Sequence, residues 1–274
     1  MVFRVFKGIL IGLLGLAAFA VLIAGGLIAM DSLSPTQQAA DFANVTYPGA
    51  DGAMLYAYLA QPAGSSPLPG IVLIHSFYGL DEETVEKADL LAQHGYSVLA
   101  VDAYRGRSTT QLPRAIWLSI TTPQEQVGAD IGAGFSYLSH LNGVDPQRIG
   151  AVGFCFGGTQ AMRLGMRNPA LAANVIFYGS SLVTEPGKMG SLGAGGPVLG
   201  IFGADDRMIP LDEVWAFESA MVERGLAHRV SVYPGVGHAF VNMETLSRPG
   251  PAQEAWDEML VFLEEVLKAP SSSR

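Results

Sequence analysis

From residue 71 onward, short apolar runs alternate with longer stretches of helical periodicity. Residues 71–74, 98–101, 148–152, 175–178, 198–202 and 229–233 read as strands, and 83–94, 124–141, 156–167, 211–224 and 253–267 as helices. This alternation predicts an α/β fold, a mostly parallel sheet covered by helices on both faces. Ahead of it, residues 45–47 and 54–59 flank Pro-Gly-Ala-Asp-Gly and predict a hairpin, and a loop over 61–70 delivers the first buried strand. The stretch 112–120 lies between a strand and a helix, and its Trp117 reads as a buried hydrophobic anchor or as part of a cap.

The first thirty residues follow a different pattern. Arg4 and Lys7 precede a stretch from Gly8 to Met30 without a single charge, and Asp31 closes it. As a helix, 23 residues extend roughly 34 Å, enough for a hydrocarbon core about 30 Å thick. The reading is one transmembrane helix over 1–30, with both early cations on the cytoplasmic side and the rest of the chain extracytoplasmic. A cleaved signal peptide is the alternative, because Ala18-Phe19-Ala20 offers small residues at cleavage spacing, but that cut leaves residues 21–30 as an apolar terminus. Residues 31–41 read as a polar tether, 42–268 as the folded domain and 269–274 as a disordered Ser-rich tail.

The formal charge of −9 has no basic stretch to offset it, which argues against nucleic acid as a partner. One cysteine allows no internal disulfide, and the five histidines lack ligand spacing, so no metal is expected. With 49% hydrophobic residues the chain has ample material for one large core.

Three short motifs each follow a predicted strand directly. Gly153-Phe-Cys-Phe-Gly-Gly158 has the form of a strand-to-helix elbow, in which flanking glycines admit a strained turn and Cys155 is exposed as a nucleophile. Asp206 lies in Gly203-Ala-Asp-Asp-Arg-Met-Ile-Pro210, and His238 in Tyr233-Pro-Gly-Val-Gly-His-Ala-Phe240. The order nucleophile, acid, histidine is the α/β-hydrolase order, with cysteine in the serine position. Ligands of parallel sheets collect at the carboxyl ends of the strands, so the fold would bring all three to one edge. His238 and a helix amino terminus are expected to lower the thiol pKa, and Asp206, four residues before Pro210, to orient the imidazole, with Asp205 as the alternative. The backbone N–H groups of Phe156 and Phe77 are the expected oxyanion donors. His75 reads as a structural brace at the strand end. Ser76, Phe77, Tyr78, Tyr104, Arg105 and Phe240 are the candidate pocket residues, Arg105 as a possible contact for an anionic group.

Residues 42–268 resemble the dienelactone hydrolase family, through the cysteine elbow at 153–158, the segments 203–210 and 233–240, and the closing helix around Glu254-Ala-Trp256. The resemblance implies a cofactor-free hydrolase of esters or enol-lactones acting through Cys155, Asp206 and His238. Two positions depart from the pattern of the family's best-known members. Ser76 stands where they carry a glutamate that poises the cysteine, and Asn242 where an arginine grips a substrate carboxylate. An alternative from another class is a weakly active or inactive hydrolase-fold subunit of a membrane complex. Gly12, Gly15, Gly25 and Gly26 would then let a partner helix approach the anchor closely.

Overall fold

The computed structural model describes residues 14–15, 18–26, 28–29, 38–62 and 67–268. The tail over 269–274 lies outside the described residues, as does part of the expected membrane segment, whose described residues are helical. Among the described residues, no helix is long and apolar enough to cross a membrane.

Eight strands form one sheet: β1 (Val45–Pro48), β2 (Met54–Ala60), β3 (Leu68–Ile74), β4 (Ser97–Val101), β5 (Val144–Phe154), β6 (Ala173–Phe177), β7 (Val198–Gly203) and β8 (His228–Tyr233). Their order is β1-β2-β4-β3-β5-β6-β7-β8. The hairpin β1–β2 is antiparallel and β2 joins β4 antiparallel, while the strands from β4 to β8 in that order are mutually parallel. Side chains alternate as the pleat requires. Ile71 and Leu73 of β3, with Val98 and Ala100 of β4, enter the core on one face, and Val72, Ile74, Leu99 and Val101 enter the core on the other.

Helices α1 (Glu82–Gln93), α2 (Leu112–Thr121), α3 (Gln124–Ser139), α4 (Phe156–Arg167), α5 (Leu211–Glu223) and α6 (Pro251–Leu263) complete the framework. Ala88, Leu91, Val214, Phe217 and Met259 of α1, α5 and α6 cover one sheet face, and Val127, Ile131, Leu138, Ala161 and Leu164 of α3 and α4 cover the other. Asp81 caps α1 by accepting the Thr84 N–H at 2.9 Å, which fixes where the chain leaves the loop after β3.

Three sequence expectations change. Residues 112–120 are helical, and Trp117 is 45% exposed instead of buried, because Ala115 and Leu118 face inward and the rest of the helix faces out. Residues 38–41, expected in the tether, fold onto the domain: Gln38 bridges Arg107, and Ala39 is fully buried. The strand 148–152 begins earlier, at Val144, where Leu68 of β3 pairs with it.

Candidate active site

The elbow forms where β5 ends. Cys155 has φ 57° and ψ −116°, a strained backbone for a residue with a Cβ, held by its N–H to Phe177 O at 3.0 Å and by Thr159 N–H to its own carbonyl at 3.2 Å. Glycine at 157 is a packing requirement, since a Cβ there would lie 2.2 Å from Ile74 O and 2.6 Å from His75 O. Without it, α4 could not start so close to the end of β3.

Asp206 follows β7 and is buried. Its Oδ1 accepts the N–H groups of Met208 (2.8 Å) and Ile209 (3.2 Å), and its Oδ2 lies 2.7 Å from His238 Nδ1. An ionised carboxylate only accepts, so Nδ1 carries the proton and Nε2 of the neutral ring is the acceptor. That Nε2 lies 3.0 Å from Cys155 Sγ, so the thiol donates to it. The neighbouring Asp205, the alternative acid, is exposed and its backbone N–H bonds to Val236 O. The structure therefore joins Cys155, His238 and Asp206 in one hydrogen-bonded series.

The expected lowering of the thiol pKa is reversed. Burial pushes the Cys155 thiol up to about 11, and the Asp206 charge adds to it, while the N–H groups of Phe156 and Phe77, both bonded toward Sγ, pull the other way. The Phe77 donor comes from the loop after β3 and the Phe156 donor from the first residue of α4, so two separate elements aim N–H groups at the same sulfur. The base that faces this raised thiol is the His238 imidazole, 3.0 Å away.

Around this series the side chains sort by environment. Phe77 and Tyr78 are half-buried with ring centroids 4.4 Å apart at the rim. Tyr104 is fully buried, packed on His75 (4.9 Å) and Phe156 (5.2 Å). Phe240 is buried against Tyr178 at 5.6 Å and supports the histidine loop from below instead of walling a pocket. Arg105 does not reach toward an incoming anion: it forms a two-pronged pair with Asp130 (2.7 and 2.8 Å) and a further contact with Asp51 (2.9 Å). His75 braces the strand end as expected, its Nε2 accepting Ala103 N–H at 3.0 Å and its Nδ1 donating to Ser76 O, and burial holds its pKa down.

Ser76 borders a cavity of about 20 Å³ with His75, Asp81, Glu83, Thr84 and Lys87, room for one water. Lys87 was not singled out by the sequence. Its ammonium is buried, 2.6 Å from Glu83 and 3.2 Å from Val241 O, over the Phe154 ring at 4.1 Å. The Tyr178 ring meets His238 edge-on at 5.3 Å. Asn242, at the position of the family's arginine, caps a helical turn by accepting Thr245 N–H at 3.0 Å and donates to Ala239 O at 3.3 Å, so it stabilises the histidine loop. Among the described residues no cluster of His, Cys, Asp and Glu suits a metal ion.

Residues 55–267 match the model of the dienelactone hydrolase family. A Methylorubrum extorquens protein assigned as a carboxymethylenebutenolidase is 29% identical over 227 residues, 78% of each chain. A Bradyrhizobium protein described as a probable 2-oxo-3-(5-oxofuran-2-ylidene)propanoate lactonase is 30% identical over 228 residues, covering 78% of this chain and 91% of its own. The crystal structure of a Klebsiella pneumoniae protein assigned as a dienelactone hydrolase superposes with a TM-score of 0.68 at 27% identity, covering 81% of this chain and 100% of that one.

Proposed function

The chain belongs to the dienelactone hydrolase family and is a hydrolase of esters or lactones, and we propose that Cys155 is its nucleophile, His238 its general base and acid, and Asp206 the carboxylate that orients the imidazole. The observation that carries this reading is the 3.0 Å separation of Cys155 Sγ and His238 Nε2, with the far side of the ring fixed on Asp206. The thiol proton passes to Nε2 as Sγ attacks the carbonyl carbon, and the carbonyl π pair moves onto oxygen. Two N–H groups, of Phe156 and Phe77, receive that oxyanion. Collapse re-forms the carbonyl and breaks the bond to the leaving oxygen, which takes the proton from His238. A thioester remains; for a lactone the alcohol or enol stays attached to the same molecule. His238 then takes a proton from water, hydroxide adds to the thioester, and collapse frees the carboxylic acid, which ionises to solvent, while sulfur recovers its proton from the imidazolium.

Because Arg105, the candidate cation for a substrate carboxylate, is engaged with Asp130 and Asp51, the favoured substrates are neutral or weakly polar esters and enol-lactones. The domain is held at the outer face of a cytoplasmic membrane by residues 8–30, a reading supported by 23 uncharged residues behind Arg4 and Lys7.

The test is turnover of short aryl esters and enol-lactones by the full chain in detergent, with Cys155→Ala in parallel and acid-quenched samples weighed for an acyl adduct on Cys155. Turnover that vanishes in the variant, with the adduct present in the parent, is expected. Equal turnover by both proteins would overturn the nucleophile assignment, and no turnover by either would favour an inactive accessory subunit.

A further inference from the structure

Helix α2 is apolar on two sides. Ala115 and Leu118 face the domain, while Leu112, Ile116, Trp117 and Ile120 are 53%, 47%, 45% and 71% exposed. Positions 112, 116 and 120 repeat every fourth residue and form one continuous outer stripe, with Trp117 beside it. Arg114 is the helix's only charged residue. An aligned apolar stripe of this kind, unlike scattered exposed side chains, marks a contact surface.

Two further observations identify what lies against it. Ala24 and Ile28, one helical turn apart in the amino-terminal apolar stretch, border the same open groove as Leu112, Ile116, Trp117 and Ile120. The chain also joins the domain beside this helix: Gln38 bridges Arg107, and Ala39 N–H donates to Gly106 O at 3.1 Å, just ahead of Leu112. Because Ala24 and Ile28 line one groove with α2, whatever surrounds the apolar stretch also borders that helix.

The amino-terminal segment does not close the groove. Leu14, Phe19, Val21 and Leu22 are themselves 62–73% exposed, so the apolar surface continues from α2 onto that segment. A second copy of the chain carries the same formal net charge of −9, so association of two copies works against long-range repulsion. Hydrocarbon matches both surfaces, and a Trp-bearing amphipathic helix is suited to the boundary between headgroups and acyl chains.

We propose that α2 is a second membrane contact: the face formed by Leu112, Ile116, Trp117 and Ile120 enters the outer margin of the bilayer that residues 8–30 cross, and holds the hydrolase domain down on the surface. This rests on the anchor reading above, and the experiment separates the two. The full chain is reconstituted into phosphatidylcholine vesicles whose acyl chains carry bromine, and into unbrominated ones; flotation reports the anchor, and bromine quenching of tryptophan emission reports α2. Trp215 is equally exposed at 45% on α5, and Trp256 is buried, so both serve as internal controls.

The expected result is flotation of every variant, with bromine-dependent loss of emission that disappears in Trp117→Phe and persists in Trp215→Phe. An Ile116→Ser/Ile120→Ser variant should float equally well while its Trp117 escapes quenching. Flotation with quenching unchanged by Trp117→Phe would overturn the α2 contact and leave the anchor standing. Absence of flotation would overturn both. Flotation without quenching, together with self-crosslinking through α2, would replace the bilayer by a second copy.

Discussion

Tyr178 and Lys87 donate to the same atom. The phenol of Tyr178 lies 3.0 Å and the ammonium of Lys87 3.2 Å from the carbonyl oxygen of Val241, three residues beyond His238. Tyr178 also meets the His238 ring edge-on, so one buried pair holds the histidine loop from the side and from below. Either donor alone leaves the buried carbonyl satisfied; loss of both leaves it without a partner from this pair. We therefore predict that Tyr178→Phe and Lys87→Met each lower stability by about 1 kcal/mol, and that the double variant exceeds their sum by roughly another 1 kcal/mol. Urea melts of the four proteins measure this coupling, and kcat should fall most in the double variant. Strict additivity would show that Val241 O is not the shared element.

Asp206 and Asp205 are adjacent in sequence and differ completely in environment. Asp206 is buried with both oxygens engaged, whereas the Asp205 side chain points to solvent. Asp206→Asn substitutes an amide that can donate to Nδ1 and favour the wrong tautomer, so kcat should fall on the order of 10³-fold or more. Asp205→Asn should retain kcat within about twofold, as expected for a surface substitution away from any buried partner. Steady-state kinetics on one aryl ester separates the two, and a comparable loss in both would point to the turn's conformation instead of the carboxylate.

The resting state of Cys155 is open to a direct pH test. Burial and the Asp206 charge hold the thiol near 11, above any working pH, so only a small fraction is thiolate at neutrality. Thiolate is the form that alkylates, and below the pKa its population rises about tenfold per pH unit. Iodoacetamide labelling of the full chain should therefore keep accelerating from pH 7 through pH 9. A rate that is already level at pH 7 would mean that a thiolate–imidazolium pair forms without substrate.

How far the sequence reveals this molecule depends on whether the deciding contacts are local. The strands β3, β4, β6 and β7 were legible as short uninterrupted apolar runs, because a sheet covered on both faces buries every side chain of its central strands, and the helices α1, α3, α4, α5 and α6 because each buries one face at helical period. The three motifs at 155, 206 and 238 were legible because each directly follows a strand of a parallel sheet, whose topology brings them together. Helix α2 was hidden because Leu112, Ile116 and Ile120 are apolar on the outer face while Ala115 and Leu118 are apolar on the inner one, which erases the period. Pro113 in its first turn was the available signal. The reversal of the thiol pKa was illegible too, since it depends on burial and on a charge 51 residues away in sequence.

Arg105 shows the same limit and supplies the last prediction. Its sequence neighbourhood suggests a cation waiting for an anionic substrate, yet its partners come from α3 and from the turn between β1 and β2. Nε and Nη2 hold both oxygens of Asp130, which is 1% exposed, and Nη1 reaches Asp51. The guanidinium thus pins the loop after β4, where Arg105 itself adopts φ 54°, and any stabilisation from Asp51 is weak because that carboxylate is exposed. Arg105→Ala leaves the Asp130 carboxylate buried without its partner, a change that costs several kcal/mol in a dry interior; with Arg105 itself 27% exposed, about 2–3 kcal/mol is expected. Arg105→Lys keeps the charge but loses the fork, so it should recover only part of that loss. Asp130→Asn in the Arg105→Ala background removes the orphan charge and should restore stability beyond Arg105→Ala alone. Through all of this the ratio of KM for a carboxylate-bearing ester to KM for its neutral analogue should stay constant. A shift in that ratio with unchanged stability would instead mean that Arg105 leaves Asp130 to bind substrate.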